Sequence, residues 1–229
     1  MTQRLVIQLP MEQAYRRRGL FALELLDGAT LSRVSEGVKV TAHGLRRPAS
    51  VNASGLFVWR EERLDDLTSI SIEPRTVPFL SREVDRAELR LPPLSNPITA
   101  IELVPRVDYD FPAGITGMRG TLVEDRVAPL VPVTDAELHL LWLDEDSTTW
   151  HDAATRSRTN ARGDFVSFLR LAATDVPQVD ATGALTVRLR ARRGAVDERS
   201  SLDVMLVQGR VADPTTLDAK TFAWDELQT

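Results

Sequence analysis

The chain is built from short runs in which apolar and polar residues alternate. In residues 184–193, which read ALTVRLRARR, Leu185, Val187 and Leu189 occupy every second position and polar residues, mostly arginine, stand between them. Successive side chains of a β-strand point to opposite faces, so the three apolar residues face a core and the arginines face solvent or a partner. Strands with one apolar and one polar face are typical of antiparallel sheets, so this pattern predicts an all-β fold.

Runs of the same kind recur along most of the chain, bounded by Gly, Pro, Asp or Asn, the residues that favour turns. We expect strands at 38–44, 55–61, 69–74, 87–93, 100–107, 120–125, 136–143, 164–171 and 202–211. The segment before the first of these allows two interpretations. Residues 11–27, MEQAYRRRGLFALELLD, could form a helix, whereas residues 19–27 fit a strand equally well.

One segment combines three prolines within seven residues, LPPLSNP at 91–97. Proline cannot donate a backbone hydrogen bond to a sheet, so we expect this segment to connect sheets or domains. The sequence therefore predicts two tandem antiparallel β-sandwich domains, of immunoglobulin-like or transthyretin-like type, at 1–97 and 98–229. Both lengths lie within the usual size of a domain.

A short phrase occurs on both sides of this boundary, as VNASGLFVW at 51–59 and as TNARGDFVSF at 159–168. In each copy an asparagine stands three residues before a glycine, and a phenylalanine begins an alternating run. Asparagine bonds readily to its own downstream backbone, and glycine adopts a positive φ without steric cost. The phrase predicts a turn that leads into a core strand. The residues concerned are Asn52, Gly55, Phe57, Asn160, Gly163 and Phe165.

The composition excludes several classes of function. The 229 residues include no cysteine, which excludes disulfides, zinc–thiolate centres and cysteine nucleophiles. The formal net charge is −5, and neither half is basic enough for us to expect nucleic acid as a partner. No stretch approaches the ~20 apolar residues of a membrane span. The arginines at 16–18 follow the first apolar run, whereas those of a signal peptide precede it. We expect a cytoplasmic protein that does not insert into a membrane.

The three histidines, His43, His139 and His151, are far apart in the sequence and match no metal-binding spacing. His139 lies on the polar side of its run, and we expect it to be exposed to solvent. Ser147, His151 and Asp152 could supply a Ser-His-Asp set, but adjacent residues point apart and no G-x-S-x-G motif is present. The sequence therefore predicts no enzymatic activity, no catalytic residues, no metal site and no cofactor.

The stretch at 144–152, DEDSTTWHD, is a candidate binding loop. Asp144, Asp146 and Asp152 carry oxygens that calcium could use, but the glycine and the terminal glutamate of an EF-hand are missing, so we expect a solvated acidic loop. An aromatic residue on a polar loop is often part of a binding face. Trp150 either serves that purpose or folds back over the edge of the sandwich.

The C-terminal tail, DPTTLDAKTFAWDELQT at 213–229, also carries large apolar side chains. These side chains pack either on their own domain or on a partner. The candidate partner-binding residues of the chain are therefore Asp144, Asp146, Trp150, His151, Phe222 and Trp224.

Two segments of the second half resemble a known family. Residues 117–142, GMRGTLVEDRVAPLVPVTDAELHLLW, and 155–171, TRSRTNARGDFVSFLRL, are similar to the carboxypeptidase regulatory-like, transthyretin-like sandwich domain. The matching residues are Gly120, Pro132, Ala136, Leu138, Thr159, Asn160, Gly163 and Phe165. Asn160 stands where the family usually has aspartate. The resemblance implies a β-sandwich over about 115–193, and the first half shows a shorter match around 38–58.

The segment that leads into this domain carries a further resemblance. Residues 102–120, ELVPRVDYDFPAGITGMRG, contain a Tyr-x-Phe-Pro-x-Gly arrangement that resembles accessory proteins of phage-tail-like contractile injection systems. The residues are Tyr109, Phe111, Pro112 and Gly114. The resemblance implies a non-enzymatic structural or adaptor protein in a cap, baseplate or sheath-associated position, with other protein subunits as partners. The alternative is a β-sandwich module that binds a carbohydrate or protein ligand through the Trp150 loop.

Overall fold

The computed structural model describes residues 19–60, 64–212 and 221–228. Their regular structure is almost entirely β-strand, with short 3-10 helices at Arg86–Glu88 and Trp224–Glu226. The strands are β1 Gly19–Asp27, β2 Val38–Ala42, β3 Ser50–Val51, β4 Phe57–Arg60, β5 Ser69–Pro74, β6 Arg82–Asp85, β7 Ile98–Leu103, β8 Thr116–Val123, β9 Glu137–Leu143, β10 Trp150–Asp152, β11 Ser157–Arg158, β12 Asp164–Leu169, β13 Ala184–Arg193, β14 Asp197–Ser200, β15 Val204–Val207, β16 Val211–Ala212 and β17 Thr221–Ala223. The prediction of an all-β fold is confirmed.

Two sheets of the first half enclose one hydrophobic core. One sheet has the strand order β3-β4-β1-β7, and the other has the order β2-β5-β6. Phe21 of β1 stacks on Trp59 of β4 with ring centroids 4.7 Å apart. Ile70 and Ile72 of β5 pack in the same cluster from the other sheet. Because both sheets supply fully buried side chains to one cluster, burial of apolar surface holds them together.

The second half is built in the same way around a second core. Its larger sheet has the order β10-β9-β13-β14, with β11 also on β9 and β15 also on β13; we call it the β9–β13 sheet. In the other sheet, β8 pairs with β12, β16 and β17. Leu185, Val187 and Leu189 are fully buried in this core, as their alternation predicts. Arg188 and Arg190 therefore lie on the outer face of the β9–β13 sheet.

Three of the expected elements differ from the structure. The run at 202–211 is not one strand, because β15 ends at Val207, a turn follows, and β16 begins at Val211 in the other sheet. Residues 87–93 are not a strand, because the chain passes there from the 3-10 helix into a turn at Pro92 and Pro93, which cannot donate to a sheet. The strand lies earlier, at β6, whose one buried residue, Val84, gave little alternation to detect. Residues 19–27 form β1, so the helical interpretation is wrong there, and residues 11–18 lie outside the described part.

Within the part of the chain that the structure describes, the strand pairing is antiparallel except at three places. β7 pairs in parallel with β1, and β16 and β17 pair in parallel with β8. For these pairs the antiparallel expectation is wrong. Alternation favours antiparallel sheets, but it does not fix the direction of each neighbouring strand: β7 alternates and still pairs in parallel with β1.

Both copies of the repeated phrase form the same turn. The Asn52 side-chain oxygen accepts hydrogen bonds from the backbone N–H groups of Ser54 and Leu56, at 3.0 and 2.9 Å. The Asn160 side-chain oxygen accepts from Arg162 and Asp164, at 2.7 and 3.0 Å. In each turn the glycine, Gly55 or Gly163, has a φ of +76°. The phenylalanine that follows is buried, at Phe57 and at Phe165.

A third copy of this turn follows at Asp180. The side-chain oxygen of Asp180 accepts from the backbone N–H groups of Thr182 and Ala184, at 2.7 and 2.9 Å. Gly183 has a φ of +80°, and the fully buried Leu185 takes the place of the phenylalanine. Three core strands are therefore preceded by the same turn. This recurrence indicates that the turn has a structural role.

A chain of aromatic rings from both halves of the sequence packs in the first core. Phe79, Tyr109, Phe111 and Phe168 contact in series, with centroids 5.5, 4.6 and 5.2 Å apart. Phe168 belongs to β12 of the second half, but its side chain packs in the cluster of the first half. The Tyr109 hydroxyl donates a hydrogen bond to the Asp27 carboxylate, and burial beside this carboxylate raises the pKa of Tyr109. The Tyr-x-Phe-Pro segment thus forms the junction between the halves.

Polar contacts reinforce this junction. The Arg170 guanidinium donates to both carboxylate oxygens of Glu102, at 2.9 and 3.0 Å, and to the carbonyl of Gly28, at 2.8 Å. Bidentate arginine–carboxylate pairs fix geometry as well as contributing energy. Arg119 donates to the carbonyls of Val107 and Tyr109, at 3.1 and 2.6 Å. Both sides of the junction are therefore held in one relative position.

Candidate functional site

Four of the candidate binding residues lie on one hairpin at an edge of the β9–β13 sheet. β9 ends at Leu143, and β10 returns beside it, with Trp150 opposite Leu143 and Asp152 opposite Leu141. β10 is the last strand on this side of the sheet, so among the described residues its outer edge has no neighbouring strand. The hairpin places the candidates Asp144, Asp146, Trp150 and His151 close together.

The acidic residues of the hairpin stabilise its turn. One carboxylate oxygen of Asp146 accepts hydrogen bonds from the backbone N–H groups of Thr148 and Thr149, both at 2.8 Å. The other accepts from the Thr149 hydroxyl at 2.6 Å. These bonds favour the charged carboxylate and hold the pKa of Asp146 far below its usual range. Asp144 accepts from the N–H of Glu145 at 2.8 Å, so both carboxylates take part in the local backbone structure.

Trp150 lies against the outer face of the sheet. The Arg188 guanidinium of β13 sits over its ring, 4.1 Å from the ring centre, and donates to the Asp203 carboxylate at 2.6 Å. Cation–π contacts of this kind favour a fixed ring orientation. Of the two sequence interpretations, the structure therefore shows a half-buried Trp150 that folds back over the sheet and keeps part of its surface exposed.

His151 points to the opposite side of β10. Its ring stacks on Trp142, with centroids 4.5 Å apart and planes 25° apart. Its Nε2 atom lies 3.4 Å from a carboxylate oxygen of Asp144, and its side chain is 43% exposed. Because Trp150 and His151 point to opposite sides of the strand, they do not form one binding surface.

His139 is buried, so the expectation of a solvent-exposed side chain is wrong. His139 is only 7% exposed, because side chains of the neighbouring strands lie beside it on the outer face of the sheet. Its Nε2 atom lies 3.0 Å from the Asp152 carboxylate, which also accepts from Arg190 at 3.3 Å. Burial lowers the pKa of His139, as do the charges of Arg156 and Arg190, whereas Asp152 opposes the change.

This environment predicts a pH-dependent stability. A histidine whose pKa is lower in the folded chain binds its proton more tightly when unfolded, so stability is lost as the pH falls from about 6.5. We expect the urea midpoint of the wild type to fall more between pH 7.5 and pH 5 than that of His139→Gln, which has no titrating ring at this position. Equal pH dependence of the two proteins would contradict this assignment.

The residues that could have formed a catalytic set are engaged elsewhere. His151 contacts Asp144, whereas Asp152 contacts His139 on the other face of the sheet, so Ser147, His151 and Asp152 do not converge. His43 contacts the Ser71 hydroxyl on the surface of the first half. Within residues 19–60, 64–212 and 221–228, no group of three or more His, Asp or Glu side chains is placed to hold a metal ion.

The exposed apolar surface near Trp150 extends across the sheet. Thr186 of β13 pairs with Met205 of β15, and Ala184 pairs with Val207. Met205 is 46% exposed and Val207 is 49% exposed. Since paired residues share a face, these side chains lie on the same outer face as Trp150. We call this surface, formed by Trp150, Leu143, Thr186, Met205 and Val207, the outer apolar face.

The C-terminal candidates are not available to a partner. Phe222 and Trp224 are 6% and 4% exposed and belong to the second hydrophobic core. Arg193 and Arg199 lie over the Trp224 ring, 4.6 and 5.2 Å from its centre. The two residues pack on their own half of the chain because β17 pairs with β8, so their assignment as partner-binding residues is wrong.

Sequence reasoning missed Arg188 as the neighbour of Trp150 and Asp203 as the partner of Arg188. The alternation of 184–193 did place Arg188 on a polar face, but nothing in the sequence pairs it with Trp150. Comparison with known proteins found no matching family model, curated protein or solved structure. In the described part of the chain, no helix has the length and apolar character that crossing a membrane requires.

Proposed function

We propose that the chain is a non-enzymatic structural or adaptor subunit that binds another protein through its outer apolar face. The observation that carries the proposal is the position of Trp150, which keeps part of its surface exposed on the same outer face of the β9–β13 sheet as Met205 and Val207. Clustered aromatic and apolar side chains surrounded by charged pairs are typical of protein-binding surfaces. Asp152, Arg188 and Asp203 supply such a charged surround.

The firm junction between the halves also favours a structural role. An adaptor must hold its binding faces in a fixed relation, and the shared aromatic chain and the Arg170–Glu102 pair do so here. The Tyr-x-Phe-Pro resemblance points to a phage-tail-like contractile injection particle as the assembly, in a cap, baseplate or sheath-associated position. Other protein subunits are then the partners, and nucleic acid and membrane are not.

A carbohydrate is the less suitable ligand for this surface. Sugars stack on an open aromatic ring, whereas the Arg188 guanidinium already covers one face of the Trp150 ring. A protein partner can use the ring edge together with the neighbouring apolar side chains and the arginine itself. The surface therefore fits a protein better.

The proposal is tested by purifying intact particles and identifying this chain in them by mass spectrometry. Consistent absence of the chain from such particles rules out the particle assignment. If a subunit that co-purifies with the chain is identified, Trp150→Ala is expected to weaken its binding by about 30-fold, as for a central interface tryptophan. Val127→Ala, which removes a 71% exposed side chain away from this face, serves as the control. A glycan array that binds the wild type but not Trp150→Ala would favour carbohydrate instead.

A further inference from the structure

The outer edge of β10 carries backbone groups that have no hydrogen-bond partner among the described residues. Ala153, which follows β10, donates to the Leu140 carbonyl of β9 at 2.8 Å. In an antiparallel pair every second residue exchanges hydrogen bonds with the neighbouring strand, so His151 also bonds to β9. The N–H and C=O groups of Trp150 and Asp152 therefore point away from β9. They form the open edge of the sheet.

The two residues with free backbone groups lie symmetrically about His151. When a strand pairs with an antiparallel copy of itself, a two-fold axis at His151 places Trp150 of each copy opposite Asp152 of the other. Both of these pairs are then hydrogen-bonded pairs, in which the two residues exchange N–H···O bonds in both directions. A second copy of the chain therefore satisfies all the free backbone groups of this edge.

The charges on the two sides of β10 are complementary to those of such a copy. Residues 144–146, which read DED, precede the strand, and residues 156–158, which read RSR, follow it. Both segments stand at the same sequence distance from His151, so antiparallel pairing brings the acidic segment of one copy toward the arginines of the other. Glu145 is exposed, and the side chain of Arg158 is 54% exposed, so both can reach a neighbouring molecule.

We propose that the chain forms a symmetric dimer in which β10 pairs with β10 of a second copy. An unpaired edge strand is a template for pairing with another chain. A two-fold interface uses the same surface from both copies, so the dimer leaves neither β10 edge open. The inference goes beyond the protein partner proposed above and does not require it.

The dimer extends the β9–β13 sheet across both copies. A two-fold axis perpendicular to the sheet keeps both outer faces on the same side. Trp150 of each copy then lies next to the axis, and the two outer apolar faces become one surface. A protein that binds this surface would therefore meet two copies of it in a fixed relation.

Sedimentation equilibrium of the full chain at pH 8 tests the dimer. The wild type is expected to change from mostly monomer at about 5 μM to mostly dimer at about 500 μM, because so short a pairing belongs to the weak specific interfaces. In Asp152→Pro the ring removes the free N–H, and we expect a dissociation constant about tenfold higher than that of Asp152→Ala. Asp152→Ala is the matched control, because both variants lose the carboxylate that contacts His139 and Arg190.

A charge exchange provides a second measurement that does not depend on proline. Arg158→Glu is expected to raise the dissociation constant of the dimer about tenfold, because it places like charges opposite the acidic segment of the other copy. Adding Glu145→Arg to this variant is expected to restore most of the dimer, since the opposite charges are then exchanged. Both side chains are exposed, so neither change removes a buried contact.

A wild type that stays monomeric up to about 500 μM overturns the proposal. A dimer that is equally stable in Asp152→Pro and Asp152→Ala also overturns it and assigns the contact to another surface. Failure of Glu145→Arg to restore the dimer of Arg158→Glu contradicts the antiparallel arrangement. None of these results decides whether the outer apolar face binds another protein, which Trp150→Ala tests separately.

Discussion

Replacing Gly163 by alanine is expected to lower the free energy of unfolding by more than about 3 kcal/mol. Its φ of +76° costs a side-chain-bearing residue about 1–2 kcal/mol. In addition, a Cβ atom there would lie 2.3 Å from the carbonyl oxygen of Leu122 and 3.2 Å from Pro132. The Leu122 carbonyl cannot move away freely, because it accepts the hydrogen bond of Val133 at 2.9 Å. Steric overlap with the backbone therefore adds to the strain.

Gly183→Ala is the matched control within the same molecule. Gly183 occupies the same place in the third copy of the turn, with a φ of +80°, but nothing lies within 4 Å of its Cβ position. Gly183→Ala is expected to lower the free energy of unfolding by about 1–2 kcal/mol, because only the conformational strain of the positive φ applies. Urea unfolding followed by tryptophan fluorescence measures both values. Equal losses for the two variants would show that the contact with Leu122 is relieved by movement.

The turn also shows which structural features could be predicted from the sequence. The chemistry of Asn52 and Asn160 was sufficient to predict the loop and the buried phenylalanine, because both depend on neighbours in the chain. The third copy was missed because Asp180 replaces asparagine and Leu185 replaces phenylalanine, although the hydrogen bonds are the same. A search for the physical pattern, an acceptor side chain three residues before a glycine, would have found it.

Features that depend on distant residues were beyond the sequence. The environment of His139 includes Asp152 and Arg190 from the neighbouring strands and Arg156 from the loop before β11. Its own run shows only that it lies on a polar face. The position of Trp150 likewise depends on Arg188, which is 38 residues away in the chain but adjacent on the sheet. Alternation assigns a residue to a face, whereas strand order decides what that face contacts.

Phe168→Ala is expected to destabilise the first half of the chain, although Phe168 belongs to a strand of the second. Its side chain is 1% exposed and packs in the first core, against Phe111. Truncation of a buried phenylalanine costs about 3–5 kcal/mol. Phe165→Ala is the control, since Phe165 lies on the same strand but packs in the second core, against Phe222.

The two variants are distinguished by which tryptophans respond first. Trp59 reports on the first core, and Trp142 and Trp224 report on the second; fluorine NMR of fluorotryptophan-labelled protein resolves them during urea unfolding. In Phe168→Ala the Trp59 signal is expected to change at lower urea than the other two, because the second core keeps its packing.

In Phe165→Ala all three signals are expected to change together, because unfolding of β12 also withdraws Phe168 from the first core. Coincident transitions in Phe168→Ala would instead mean that the Arg170–Glu102 pair and Tyr109 couple the halves without this ring. The first core thus requires that β12 of the second half is folded, because β12 supplies Phe168. Such dependence keeps two sheet pairs in one orientation, as an adaptor between fixed neighbours requires.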